Sequence, residues 1–255
     1  MSKIKLMRTA PLFIIMVAIF LHSCVSTEKA VYFNNIKEKE FAEINVIPVI
    51  QKSDLLSITV SSLNSEATII FNNPNQSGIG NNPQSGYLVS NEGIILFPIL
   101  GKITAAGLTV KELTDDLTKT LVVKKLLVDP IVNVRIMNFK VTVLGEVTKP
   151  SVVPVPSEKI SMLEALGMAG DMTLFAKRDN VLLIRVENGK KITRRVNLNS
   201  PDFLESPFYY LKTNDIVYVE PNKAKIATVS RSQQLLPIIA SGLTFLIIVI
   251  DRIIR

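Results

Sequence analysis

The chain has 255 residues, enough for one or two compact domains, and 47% of them are hydrophobic, with much of the excess in two terminal stretches. The net charge is +7, but Lys3, Lys5 and Arg8 precede residue 24; the remainder sets 26 basic against 22 acidic residues, too mild a bias for a nucleic-acid-binding face. One cysteine and one histidine exclude a disulfide framework and a thiolate metal site, and no cofactor is expected.

The N-terminus reads as a targeting segment. Lys3, Lys5 and Arg8 form a positive region ahead of an apolar run from Ala10 to Leu21, within signal-peptide range and short of the roughly 20 residues of a membrane span. Leu21-His22-Ser23-Cys24 follows. A small residue before cysteine, with an aliphatic residue three places ahead of it, resembles a bacterial lipobox. The resemblance implies cleavage after Ser23 and lipid on both the thiol and the new amine of Cys24. No acidic residue follows Cys24 directly, so outer-membrane placement is expected. Residues 24–44 mix charges and Asn without periodicity and read as a tether.

Asp54 to Val60 alternates as a strand. Phe71 to Gly86 holds NNPNQSGIGNNPQSG, the composition of an exposed loop. Gly78-Ile79-Gly80 within it lacks the third glycine, the strand and the helix of a dinucleotide motif. Tyr87-Leu88-Val89 is a strand and Asn91-Glu92-Gly93 a turn. Ile94 to Phe97 is a short buried strand ending at Pro98. Thr109 and Glu112 have capping-box spacing, and Leu113, Leu117 and Leu121 form one stripe of the helix that follows. That helix is expected to lie on the sheet.

The segment GYLVSNEGIILFPILGKITAAGLTVKEL resembles the signature of the polysaccharide biosynthesis/export domain found in outer-membrane polysaccharide export lipoproteins. Val128 to Ile136 is a strand resembling the end of that domain. Lys140 to Val147, followed by Lys149-Pro150, resembles the start of a soluble-ligand-binding β-grasp domain. Two departures occur: Ser53 and Ser151 stand where the family usually has glycine.

Ser161 to Gly170 reads as a short helix, and Val181–Glu187 and Lys190–Leu198 as strands joined by the hairpin signal Asn188-Gly189. FYYLKTNDIVYVEP, residues 208–221, resembles the closing strands of the family. The hairpin carries Arg185, Lys190, Lys191, Arg194 and Arg195, which suit either an acidic glycan or a solvated sheet face. Tyr209, Tyr210 and Tyr218 suit sugar stacking or core packing. Arg185, Lys191, Arg194, Tyr209 and Tyr210 are the candidate glycan contacts. Asp54, Glu92, Glu146 and Asp171 could supply a glycosidase pair, but each sits at a predicted turn or strand start, and no catalytic residue is expected.

Leu235 to Ile250 is uncharged, and a transmembrane helix is expected within 233–255. The fold class is therefore α+β: an export domain of mixed strands with a packed helix at 45–138, a β-grasp domain at 139–222, and a C-terminal membrane helix. The resemblance implies a polysaccharide substrate, a homo-oligomeric ring in the outer membrane with the body in the periplasm, and an inner-membrane polysaccharide co-polymerase as partner. The competing reading is a membrane-anchored glycan-binding or scaffold protein that forms no pore.

Overall fold

The computed structural model describes residues 31–33, 36–43, 47–72, 86–187, 189–229 and 231–254. Cys24, the signal segment and most of the Asn/Gly-rich loop lie outside them. Among the described residues, twelve strands and five helices form two packed bodies and an appended helix.

The first body is a three-stranded sheet with helices against it. β1 (Leu55–Ser61) sits between β2 (Tyr87–Leu88) and β5 (Ile131–Ile136), antiparallel to both. Leu56, Ile58 and Val60 alternate inward and meet Val132 and Val134. α1 (Ser65–Asn72) was not foreseen. The Asn64 carboxamide accepts the Glu66 and Ala67 N–H groups at its start. Asn72 at its end pairs with Val60 in both directions at 2.7 Å, as a strand would. Tyr87 donates to the Phe71 carbonyl, and burial pushes its phenol up to about 12. β3 (Ile94–Phe97) pairs with β4 (Gly101–Thr104), not with β2.

α2 (Val110–Val123) forms as its pattern predicts. Thr109 accepts the Glu112 N–H, the Glu112 carboxylate accepts that of Thr109, and Leu113, Leu117 and Leu121 are fully buried. The capping bonds hold the Glu112 carboxyl below its ordinary range.

The second body is a five-stranded sheet in the order β10-β9-β12-β6-β7. The strands are β6 (Lys140–Gly145), β7 (Ser151–Pro154), β9 (Val181–Glu187), β10 (Lys190–Val196) and β12 (Ile216–Val219); β12 runs parallel to β6 and every other pair is antiparallel. β8 (Ile160–Ser161) pairs with β11 (Tyr210–Leu211) and leads into α3 (Met162–Met168). Ser161 and Glu164 form a second capping box. Met162, Ala165 and Leu166 pack beneath Val141, Val143, Val217 and Val219.

Two features hold this sheet. Gly145 has φ +91°, and a Cβ there would lie 2.0 Å from the Val219 carbonyl oxygen, so only glycine lets β6 run against β12. Arg185 faces inward from β9 and is 3% exposed. Its Nη2 and Nε reach the Asp215 carboxylate at 2.6 and 3.0 Å, and Nη2 also reaches the Tyr210 carbonyl. Asp215 accepts the Lys212 N–H as well. Arg185 is therefore a correction to the expected glycan contacts: its burial hides it, and its hydrogen bonds go to the fold.

α4 (Lys223–Val229) leads into α5 (Arg231–Ile254). Because α5 starts four residues before Leu235, Pro237 lies inside the helix, where it removes one backbone hydrogen bond. Every side chain described from Leu235 to Ile250 is solvent-exposed, and neither core includes a residue of α5. Among the described residues no helix is long and apolar enough to cross a membrane. The expected transmembrane helix is thus not supported. The uncharged run, Leu235–Ile250, spans only about 24 Å, against a hydrocarbon core of about 30 Å.

Two substitutions test these supports. Gly145→Ala should lower stability in urea by at least ~2 kcal/mol, from left-handed strain plus the clash with β12. Asp215→Ala, which strands a buried guanidinium, should cost ~3–5 kcal/mol, while exposed Arg194→Ala stays within ~0.5 kcal/mol.

Candidate functional site

The five expected glycan contacts separate in space. β10 is an edge strand, paired only with β9, and Lys191 and Arg194 are exposed on it. Arg194 Nη1 reaches the Thr193 carbonyl at 3.1 Å, and neighbouring Arg195 pairs with Glu220 at 2.8 Å. Edge cations also keep such a strand from pairing with other chains. Tyr209 is half-buried against Phe203, with ring centroids 5.4 Å apart, and packs on the second core. Tyr210 meets Tyr209 edge-on at 5.0 Å and turns to a groove between the two bodies.

That groove holds about 210 Å³. Ile47, Pro48 and Ile136 form its first-body wall; Tyr210, Lys159 and Thr213 belong to the other. Lys159 Nζ lies 5.0 Å from the centre of the Tyr210 ring and 3.0 Å from the Glu43 carboxylate, which raises its pKa. Thr213 Oγ1 is buried with no hydrogen-bond partner. Its volume is below the roughly 300–1,000 Å³ of pockets for drug-sized ligands and suits a single ring. An aromatic face, a cation and an unspent hydroxyl are what one sugar unit of a longer chain would use. Lys159 and Thr213 carry no local signal, because residues 47, 136, 159 and 210 meet only when the two bodies pack.

The four carboxylates weighed as a glycosidase pair are spent in local structure. Asp54 accepts the Gln51 N–H at 2.8 Å, and burial raises its carboxyl above the usual range. Glu92 accepts the Ser90 hydroxyl, and Glu146 holds Thr173 and Lys225. Asp171 accepts the Tyr32 hydroxyl and the Met172 N–H. Among the described residues, no group of acids, histidines or cysteines could hold a metal ion.

Residues 46–137 match the family described as polysaccharide biosynthesis/export protein, and residues 140–195 match the SLBB domain. Among curated proteins, the chain is 30% identical over 141 residues to the EPS I polysaccharide export outer membrane protein EpsA of Ralstonia solanacearum. It is 31% identical over 139 residues to the protein of the same name from Ralstonia nicotianae. The matches take in 54% and 53% of this chain but only 37% and 36% of those relatives, so the shared stretch is little more than a third of their length. The two domain matches follow one another without overlap and together take in more than half of the chain: it belongs to the polysaccharide biosynthesis/export family.

Proposed function

We propose that the protein is a lipid-anchored outer-membrane subunit of a polysaccharide export conduit, assembled as a ring of identical copies. The observation that carries the reading is the pairing of a family-defining body with an appended helix whose apolar surface nothing in the described chain covers. Leu243, Phe245, Leu246, Ile247 and Ile248 are each more than half exposed. The two hydroxyls in the uncharged run of α5 fit apolar surroundings. Ser241 donates to the Ile238 carbonyl and Thr244 to that of Ala240, both at 2.9 Å, so neither needs water.

In this reading α5 buries its apolar surface against the same helix of its copies. One helix cannot enclose a channel, so a conduit requires several copies. The substrate is capsular or extracellular polysaccharide, in keeping with the name of the Ralstonia relatives. Tyr210, with Lys159 and Thr213 in the groove, takes one sugar unit, while Lys191 and Arg194 offer surface charge to an acidic chain. Lipid on Cys24 holds the body to the periplasmic side of the membrane, where it meets an inner-membrane polysaccharide co-polymerase.

Cys24→Ser should leave an unprocessed precursor that no longer fractionates with the outer membrane; normal fractionation would refute lipid anchoring. Truncation after residue 230 should abolish surface polysaccharide while leaving the urea unfolding of the body unchanged. Undiminished polysaccharide in that strain would favour the rival, a scaffold that forms no pore.

A further inference from the structure

Both described ends of the chain leave the SLBB body from one short segment. Tyr32 donates its hydroxyl to Asp171, its ring centre lies 5.6 Å from the Arg178 guanidinium, and Phe33 N–H reaches the Leu198 carbonyl at 3.2 Å. Arg178 is 5% exposed, and its Nε and Nη1 have no other partner, so the Tyr32 ring is a principal neighbour of that charge. On the other side of the same segment, Lys177 N–H bonds the Glu220 carbonyl at 2.9 Å and Asn222 N–H bonds that of Phe175 at 2.7 Å. Ala176 and Pro221 form a β-bridge. Residues 171–178 therefore hold both the turn at Tyr32, through its side chain, and the chain leaving β12 for α4 and α5.

Between the two ties the segment points apolar side chains outward. Leu174 is 78% exposed, Phe175 38%, and Met168 at the end of α3 54%. The ties are made by backbone groups and by Asp171, so neither needs an apolar tip. Cations ring it. Lys225 Nζ lies 5.2 Å from the centre of the Phe175 ring. Lys149, whose N–H bonds the Ala169 carbonyl, and Lys223, which opens α4, are exposed and make no ion pair among the described residues. The nearby acids Glu146 and Glu220 are already paired with Lys225 and with Lys177 and Arg195.

We propose that Met168, Leu174 and Phe175, with Lys149 and Lys223, form a membrane-contact tip that rests in the interfacial layer of a bilayer bearing anionic headgroups. Three observations select lipid over a protein partner. The tip offers only three exposed apolar side chains, far short of the ~800 Å² per partner of a stable protein interface. Its unpaired lysines complement anionic headgroups, at about fivefold in partitioning each. Exposed Ile226 on α4 adds a further apolar side chain close to the tip along the chain from Lys223. The placement rests on the reading that Cys24 is lipidated. Tyr32 follows Cys24 by eight residue steps, which limits the strap to about 29 Å and keeps the 171–178 segment close to the bilayer.

The test uses the mature full-length protein in phosphatidylethanolamine–phosphatidylglycerol vesicles. Leu174→Cys is labelled with an environment-sensitive fluorophore; Leu63→Cys, 89% exposed in the export body, serves as the control. The label at 174 should brighten severalfold and shift to the blue in vesicles, the label at 63 should not change, and Lys149→Gln with Lys223→Gln should weaken the response. A water-like signal at 174 in vesicle-bound protein overturns the tip while leaving the anchor intact. A shift that appears without lipid, on assembly, assigns the tip to a second copy and overturns the proposal. Protein that takes up a second label at Cys24 and fails to float with vesicles overturns the anchoring reading itself, and the tip with it.

Discussion

The constraint on which the rest depends is the uncovered apolar surface of α5. Residues from Leu235 to Ile253 expose eleven large aliphatic and aromatic side chains to solvent. Burying such a side chain is worth about 1.5–3 kcal/mol, so the total is at least comparable to the whole stability of an ordinary domain, about 5–15 kcal/mol. A chain carrying that much exposed apolar surface associates with something. Its own two cores are already closed around other residues. Within its uncharged run the Ser241 and Thr244 hydroxyls donate to α5's own carbonyls, which makes a bundle of like helices acceptable surroundings.

Two separately packed bodies precede that helix in the chain. In the first, the Asn72 pairing to β1 and the capping box at Thr109 close both helices onto one sheet. In the second, the parallel contact of β12 with β6 depends on Gly145, and the Arg185–Asp215 pair ties β9 to the turn just before β12. β12 is also the strand from which the chain departs through Glu220 to α4. The groove at Tyr210 lies at the other contact, between the bodies, where Ile136 packs against both cores.

How much of this was legible follows from the range of the interactions. Local signals read true. Thr109 and Glu112 announced α2, the Leu113/Leu117/Leu121 stripe gave its buried face, and Gly189 took the positive φ of a hairpin turn. α1 went unread because it has eight residues and is held by Asn64 and Asn72, both loop-forming types whose partners are backbone groups. β4 lacks any buried residue that would mark it as a strand. Arg185 was misplaced because a charged residue on an alternating strand reads as solvent-facing; its partner Asp215 is thirty residues away. The clasp of Tyr32 by Asp171, 139 residues apart, and the groove carried no signal at all in one sequence.

The central claim is that copies of this chain associate to cover α5. Sedimentation of the detergent-extracted, full-length protein, corrected for bound detergent, measures this most directly. The account predicts a closed assembly of several copies that falls to monomer when residues 231–255 are removed. A full-length monomer with α5 shielded by its own body would contradict it.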